Sequence, residues 1–453
     1  MSEDAPLMIS VAGVRGIVGR SLTPPVLARF AAAFAASLGD GPVVVGRDAR
    51  ISGPMVYRAV AAGLMAAGRD VVDLGLATTP ATQLAVVTLH AAGGIILTAS
   101  HNPAPWNALK FLSARGEFLD EVAGRAVRAR FDADAGPWAA FDALGSETQE
   151  TRALAWHLER VLGLDVIDPE RIRARRFTVV VDGCASVGGV AVPALLRALG
   201  AEVVELDCVP NGAFTRELEP LPANLTQLGE RVRTQRADFG VALDPDSDRA
   251  AFVDAAGVPL GEEYTVALGT RLVLARHRGP VVTNLSTSRM MDAVCDAAGV
   301  PLHRTPVGEA HVVGAMHALG AIVGGEGNGG MILPAAHYGR DGLVAVALVA
   351  EAMAAERVSL RALADTLPRM HMIKDKAGRS DAPWADAEQR LTRAFPDFAA
   401  DRTDGLRLSR GDAWVHIRPS GTEPIVRVIA ESPSEATTSE LVARARASLA
   451  PAS

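Results

Sequence analysis

The sequence predicts an α/β protein: three similar α/β domains with mainly parallel, mixed sheets, then a smaller C-terminal α+β domain. Three observations predict this. Short apolar strands alternate with Ala/Leu-rich helical stretches, the rhythm of βαβ units. The rhythm restarts twice along the chain. Past residue 368 it gives way to closely spaced strands with no long helices between them.

In the first unit, 42–46 reads as a strand, 52–67 as a helix, 70–74 as a strand, 80–91 as a helix and 94–98 as a strand. Thr79 is placed to cap the second helix, and Pro80 suits its first turn. In the second unit, 177–181, 202–206 and 240–243 read as strands and 189–199 as a helix. The third has strands at 280–283 and 321–323 and helices at 288–298 and 342–355. The units match in pattern rather than in residues. The last stretch has strands at 405–408, 413–417 and 425–430 and a closing helix at 434–449. The expected domains are 1–152, 153–256, 257–368 and 369–453. The most apolar stretch, 343–355, is interrupted by Glu351. It falls short of the ~20 residues of a membrane span and reads as a buried core helix.

At roughly 100–200 residues per domain, 453 residues allow two to four domains. The chain carries 45 Lys+Arg against 52 Asp+Glu, a net charge of −7. No Lys/Arg-rich run supplies a phosphate-neutralising stripe, which argues against nucleic acid as a partner. A locally basic cleft can still take an anionic small molecule. Cys184, Cys208 and Cys295 form no CxxC. They read as small buried hydrophobes in a reducing cytoplasm, not as a disulfide framework or zinc site. Met1 to Leu7 carries Glu3 and Asp4, unlike a signal peptide, so a cytoplasmic location is expected.

Four loops carry chemistry. Thr98-Ala99-Ser100-His101-Asn102-Pro103 follows an apolar strand, at the end where α/β sheets build ligand sites. Ser100 reads as a nucleophilic or phosphate-carrying serine beside His101, or else as part of a polar turn. Asp244-Pro245-Asp246-Ser247-Asp248-Arg249 also ends a strand. Its three alternate carboxylates can converge on one hard cation, with Mg²⁺ the default where phosphate is handled. An EF-hand is excluded, since Arg249 stands where it needs Gly and Ala255 where it needs Glu. A phosphatase using Asp244 as nucleophile is the sharper rival, although such enzymes usually continue with Thr or Val where Asp248 stands.

The third loop, 324–330, is glycine-rich and offers Glu326 and Asn328, a suitable pair for sugar hydroxyls. It lacks the Gly-Lys-Ser/Thr of a P-loop, and a plain glycine turn is the alternative. The fourth is Arg418-Pro419-Ser420-Gly421-Thr422-Glu423-Pro424, with Arg427 beyond. Its guanidiniums, hydroxyls and the Gly421 amide can surround a dianion, unless it is merely a polar turn. Smaller candidates are Gly13-Val14-Arg15-Gly16, Lys110 and Gly308-Glu309.

All four loops, in this order, resemble those of the α-D-phosphohexomutases over nearly the whole chain. In that family the loops read Thr-Ala-Ser-His-Asn-Pro, Asp-x-Asp-x-Asp-Arg, Gly-Glu-x-Ser-Gly and Arg-x-Ser-Gly/Asn-Thr. The resemblance implies four domains around a central cleft and an enzyme that moves phosphate between O1 and O6 of a hexose. It implies a phosphorylated Ser100, with Mg²⁺ held by Asp244, Asp246, Asp248 and the phosphoserine. Arg15 and Arg249 would lie at the reacting phosphate, and Lys110 and His101 would transfer protons. Gly308, Glu309, Glu326 and Asn328 would read the sugar. Arg418, Ser420, Gly421, Thr422 and Arg427 would hold the other phosphate. The implied partners are a hexose phosphate and a hexose bisphosphate intermediate, with no membrane; a monomer or homodimer is expected. Gly-Val-Arg-Gly, Gly46-Arg47-Asp48-Ala49-Arg50 and Ser420-Gly421-Thr422 look most like the bacterial phosphoglucosamine mutase branch. Glucosamine phosphate is therefore the expected substrate, with glucose or mannose phosphate as the alternative. Two departures bear on specificity: Asn328 stands where the family usually has Ser, and Gly330 where several subfamilies have His. A non-catalytic sugar-phosphate sensor is disfavoured, since Ser100, Lys110 and all three aspartates are present.

Overall fold

The computed structural model describes residues 7–10, 13–134, 136, 138–379, 383–420 and 425–449. Its strands fall into four sheets, one after another along the chain. The first sheet contains β1 (Met8–Ser10), β2 (Gly13–Ile17), β3 (Val43–Arg47), β4 (Val71–Leu76), β5 (Gly93–Leu97), β6 (Trp106–Ser113) and β7 (Glu147–Gln149). The order is β1-β2-β6-β5-β3-β4-β7. β3 runs parallel to β4 and β5, the rhythm expected from its Val/Ile runs, which are buried on both faces. β6 and β2 then add antiparallel strands that sequence reasoning did not see. In their register, Arg15 faces Ala108 and Gly13 faces Lys110, so Arg15 and Lys110 share one face of the sheet.

The second sheet has β8 (Thr178–Asp182), β9 (Glu202–Leu206), β10 (Phe239–Leu243) and β11 (Ala250–Asp254), in the order β11-β10-β8-β9. The third has β12 (Val281–Asn284), β13 (Leu302–Thr305), β14 (Val323–Glu326), β15 (Gly330–Leu333) and β16 (His337–Arg340), in the order β13-β12-β14-β15-β16. Each has a parallel centre and an antiparallel edge. The fourth holds β17 (His371–Gly378), β18 (Ala399–Asp401), β19 (Leu406–Arg410), β20 (Ala413–Pro419) and β21 (Ile425–Ser432). It is antiparallel throughout and carries the helix Glu435–Leu449.

The second and third sheets share one hydrophobic core, running from Val161 to Leu367. At its centre lies the helix Gly342–Glu356, buried along nearly its whole length. Glu351, within it, is buried because Arg171 and Arg276 pair with it from two other helices. Asp341 caps this helix, accepting from the Leu343 and Val344 amides. Its other oxygen takes hydrogen bonds from His157 at 2.7 Å and His337 at 3.0 Å. The first sheet has cores of its own, as does the fourth. Among the described residues, no helix is long and apolar enough to cross a membrane.

One local expectation is corrected. The helix Thr79–Thr88 is capped by Thr78, whose hydroxyl accepts from the Ala81 amide. Pro80 lies in the first turn as expected, at the second helical position. Thr79 is thereby released for another task.

Candidate functional site

β5, β10 and β14 are each paired in parallel with a neighbour, and the three chemical loops leave their carboxyl ends. The serine loop is the most heavily braced. Ser100 is buried and left-handed, with φ 47°. Its amide donates to the Thr98 hydroxyl at 2.9 Å. Its carbonyl accepts from Arg50 at 2.6 Å, and that guanidinium also reaches the carbonyls of Asn102, Pro103 and Trp106. Asp48 holds Arg50 in turn, at 3.1 Å. Sequence reasoning used Asp48 and Arg50 only as a family signature. A charged pair directly after a buried apolar strand was the signal available.

The Ser100 hydroxyl donates to Asp244 Oδ2 at 2.7 Å and lies 3.4 Å from His101 Nδ1. Burial, with Arg249 and Arg15 nearby, pushes the His101 pKa well below its usual value, so the imidazole is neutral.

Asp244, Asp246 and Asp248 are fully buried, with ligand oxygens all within 4.8 Å of one another. Burial, then repulsion from Asp248 and Asp246, raises the Asp244 pKa well above the usual carboxylate range. Asp246 moves the other way. Burial opposes its charge, but Lys110 at 2.7 Å and the Thr79 hydroxyl at 2.7 Å hold it ionised. Lys110 is held charged by the same contact and by Asp248, against its own burial. Oδ2 of Asp248 is taken by Arg340 at 2.5 Å. The remaining oxygens, Oδ1 of Asp246 and Oδ1 of Asp248, are buried and have no hydrogen-bond partner among the described residues. Orphaned, crowded carboxylate oxygens beside a serine hydroxyl fit a hard divalent cation. Arg249 lies alongside, its Nε 3.6 Å from Asp248 Oδ1 and its Nη1 3.3 Å from Glu219. Arg15 reaches Asn102 of the serine loop at 3.2 Å.

The glycine-rich loop is the turn of a hairpin between β14 and β15. Glu326 and Glu309 are buried behind it, both paired with Arg340 at 2.9 Å. Glu326 also accepts from Asn284 at 2.8 Å and from the Gly308 amide at 3.0 Å. Burial opposes its charge, but Arg340 and Asn284 keep it below the usual range. Burial raises Glu309 to about 7, against the pull of Arg340. Asn328 accepts from the Gly330 amide at 3.2 Å, closing the turn.

A cleft of about 150 Å³ opens in front, with His101, Arg249, Asn284, Asn328, Arg418 and Arg427 on its walls. Arg418 and Arg427 are cross-strand partners on β20 and β21, next to Lys376 on β17. Like charges in such a row repel unless an anion lies over them. Arg418 is aimed by Asp404 at 2.8 Å, whose other oxygen accepts from the Val307 amide at 2.9 Å. Lys374 joins β17 to Glu262 at 2.6 Å, to Glu263 at 3.1 Å and to the Gly327 carbonyl at 3.2 Å. Ser420 is buried beside this face, while Gly421 and Thr422 lie outside the described residues. Thr79, Arg340, Lys374 and Asp404 were missed from sequence, because each acts across a domain boundary.

Comparison with known proteins agrees with this geometry. Four family models match in order. They are the phosphoglucomutase/phosphomannomutase alpha/beta/alpha domains I, II and III at residues 8–136, 157–257 and 261–370, and its C-terminal domain at 382–448. A phosphoglucomutase/phosphomannomutase of Thermococcus kodakarensis is 36% identical over 431 residues, covering 93% of this chain and 94% of that one. A phosphoglucosamine/phosphogalactosamine mutase of Sulfurisphaera tokodaii is 32% identical over 441 residues, covering 95% and 96%. The crystal structure of a phosphoglucomutase/phosphomannomutase family protein from Burkholderia thailandensis superposes with a TM-score of 0.84, at 27% identity and 98% coverage of both chains. With its fold and full length so matched, the chain belongs to the phosphoglucomutase/phosphomannomutase family of phosphohexomutases.

Proposed function

We propose that this phosphohexomutase interconverts glucosamine 6-phosphate and glucosamine 1-phosphate through a phosphoserine at Ser100. The observation that carries the reading is the Ser100 hydroxyl, hydrogen-bonded at 2.7 Å to the first aspartate of a buried triad. Asp244, Asp246 and Asp248 would hold Mg²⁺ together with the phosphoserine oxygen. Bound there, Mg²⁺ would supply charge neutralisation for the transferring phosphoryl group.

The chain's own residues do the rest. Arg50 fixes the serine loop, so the nucleophile needs no reorganisation. A sugar hydroxyl attacks the phosphorus of phosphoserine, the Oγ–P bond breaks, and the proton shed by that hydroxyl ends on the serine oxygen. Lys110 and neutral His101 stand close enough to steady that proton. Arg15 and Arg249 face the moving charge. The bisphosphate turns end over end, and Ser100 takes back the other phosphate. Arg418 and Arg427 hold the phosphate that is not reacting. Water is kept from the phosphoserine by the buried loops around it.

The test uses Ser100→Ala beside the wild type, with glucosamine, glucose and mannose phosphates assayed together. The wild type should be fastest with glucosamine phosphate and carry one phosphoryl group by intact mass; the variant should lose both. A fully active Ser100→Ala protein overturns the mechanism. Faster turnover of glucose or mannose phosphate overturns only the choice of sugar.

A further inference from the structure

Arg340 lies in none of the four loops. It ends β16, where it pairs with Ile332 of β15. Its stem runs along Gly330. A Cβ at that glycine would collide with the Cγ and Cδ of Arg340. Gly330 is not in the left-handed region, so it is needed for space rather than for backbone conformation. Beyond the stem, three nitrogens of one guanidinium meet three carboxylates. Nη2 donates to Asp248 at 2.5 Å and Nη1 to Glu326 at 2.9 Å, while Nε forms an ion pair with Glu309 at 2.9 Å without hydrogen-bond alignment.

We propose that Arg340 is a positioning residue that sets sugar selectivity, by fixing Glu309 and Glu326 and tying both to the metal loop. The inference rests on the mutase reading above. A planar fork with separate donors can serve three acids from three directions, whereas an ammonium cannot hold that geometry. Glu326 is locked at both oxygens, by Arg340 on one side and by Asn284 and Gly308 on the other. Among the described residues Asp248 is hydrogen-bonded at Oδ2 only, and Oδ1, with Arg249 at 3.6 Å, is left for a cation. With a cation held at Asp248, that carboxylate would claim less of the shared guanidinium, and Arg340 would bind Glu309 and Glu326 more tightly. Metal loading and sugar reading are thus one equilibrium, and coupling of this kind acts in both directions.

The experiment compares full-length wild type, Arg340→Lys, Gly330→Ala and the double variant, each checked for fold by circular dichroism. Gly330→Ala presses on the Arg340 stem without removing its charge, and it decides the matter where Arg340→Lys does not fold. Two quantities are read: kcat and KM for glucosamine, glucose and mannose phosphates, and Mn²⁺ binding by calorimetry with the metal alone. Both single variants should raise KM at least tenfold, compress the ratio of kcat/KM values between sugars at least tenfold, and tighten Mn²⁺ severalfold, since Asp248 is then less engaged by the guanidinium. The double variant should be no worse than Arg340→Lys, since one contact is lost twice. Folded variants that keep the wild-type sugar ratio and Mn²⁺ affinity overturn the inference, even where kcat falls. A wild type inactive on all three phosphates overturns the mutase reading instead.

Discussion

Replacing Arg50 by Met tests how the serine is held. The side chain makes four hydrogen bonds to backbone carbonyls around Ser100 and one to buried Asp48. Losing one partner of a buried ion pair costs about 3–5 kcal/mol. Domains are stable by only about 5–15 kcal/mol, so Arg50→Met should still fold but unfold at clearly lower denaturant. The kinetic effect has a separate origin. Ser100 sits at φ 47°, a conformation that costs a non-glycine residue roughly 1–2 kcal/mol. Without the clamp on its carbonyl, the loop relaxes out of that conformation. A displacement of about 1 Å at a reacting group is worth about 10²-fold, so kcat should fall by that order. Asp48→Leu combined with Arg50→Met separates the two effects. An apolar pair of similar size often matches a buried ion pair in stability. The double variant should therefore recover part of the denaturant midpoint, the four carbonyls left without donors keeping the rest, but none of the lost kcat. Recovery of kcat together with stability would refute the argument, because Arg50 would then be packing rather than a clamp.

Three further outcomes follow from the same contacts. Burial, partly offset by Lys374, raises Glu263 to about 7 from 4.5. The folded state then holds that proton more tightly than the unfolded chain. The resulting stability is complete below pH 4.5 and is lost as pH rises to about 7. Glu263→Gln should flatten this part of the curve by about 3 kcal/mol in denaturant titrations, with Glu309 supplying the slope that remains. Saturating the aspartate loop with Mg²⁺ at a hundred times its Kd should stabilise the protein by about 2.7 kcal/mol. Chelator should reverse the gain, and Asp246→Asn should abolish it. Burial pushes the thiols of Cys184 and Cys295 up to about 12 and that of Cys208 to about 11. An aromatic disulfide reagent at pH 8 should therefore label none of them quickly until denaturant is added.

Much of the fold was legible because strand and helix carry different apolar periods. Strands such as Val43–Arg47 are unbroken apolar runs, and the helix Gly342–Glu356 is almost wholly apolar. The antiparallel strands of the first sheet were missed for the converse reason. Gly13–Ile17 has two glycines and an arginine, and Trp106–Ser113 carries Asn107 and Lys110, so neither shows a simple period. The candidate loops stood out because each concentrates polar groups directly after an apolar strand. Arg340 and Thr79 did not, because their meaning lies in partners 92 and 167 residues away. The Arg340-Asp341 pair ahead of a buried apolar helix was a usable signal. Sequence alone could not say that one residue would face the carboxylates and the next would cap the helix.

The aspartate loop belongs to the second sheet, yet most of what holds its side chains comes from elsewhere. Ser100, Thr79 and Lys110 reach it from the first sheet and Arg340 from the third. The site therefore exists only when the domains are docked. Its charge balance says what is still needed. Asp244, Asp246, Asp248, Glu309 and Glu326 face Lys110, Arg249 and Arg340, five acids against three bases when all are ionised. One divalent cation would cancel the remainder, at a loop where burial, reinforced by repulsion from Asp248 and Asp246, already raises the Asp244 pKa. A phosphoryl group brought to Ser100 must then be balanced from outside the cluster. Arg15 on β2 and the cross-strand pair Arg418–Arg427 are the cations placed to do so. The first is fixed in the sheet beside the serine loop. The second sits on a domain joined to the third through Asp404 and Lys374. Under the proposed mechanism, charge would thus divide the two phosphates of a bisphosphate between cations on the first sheet and cations carried by a separate domain, an asymmetry that suits a turning intermediate.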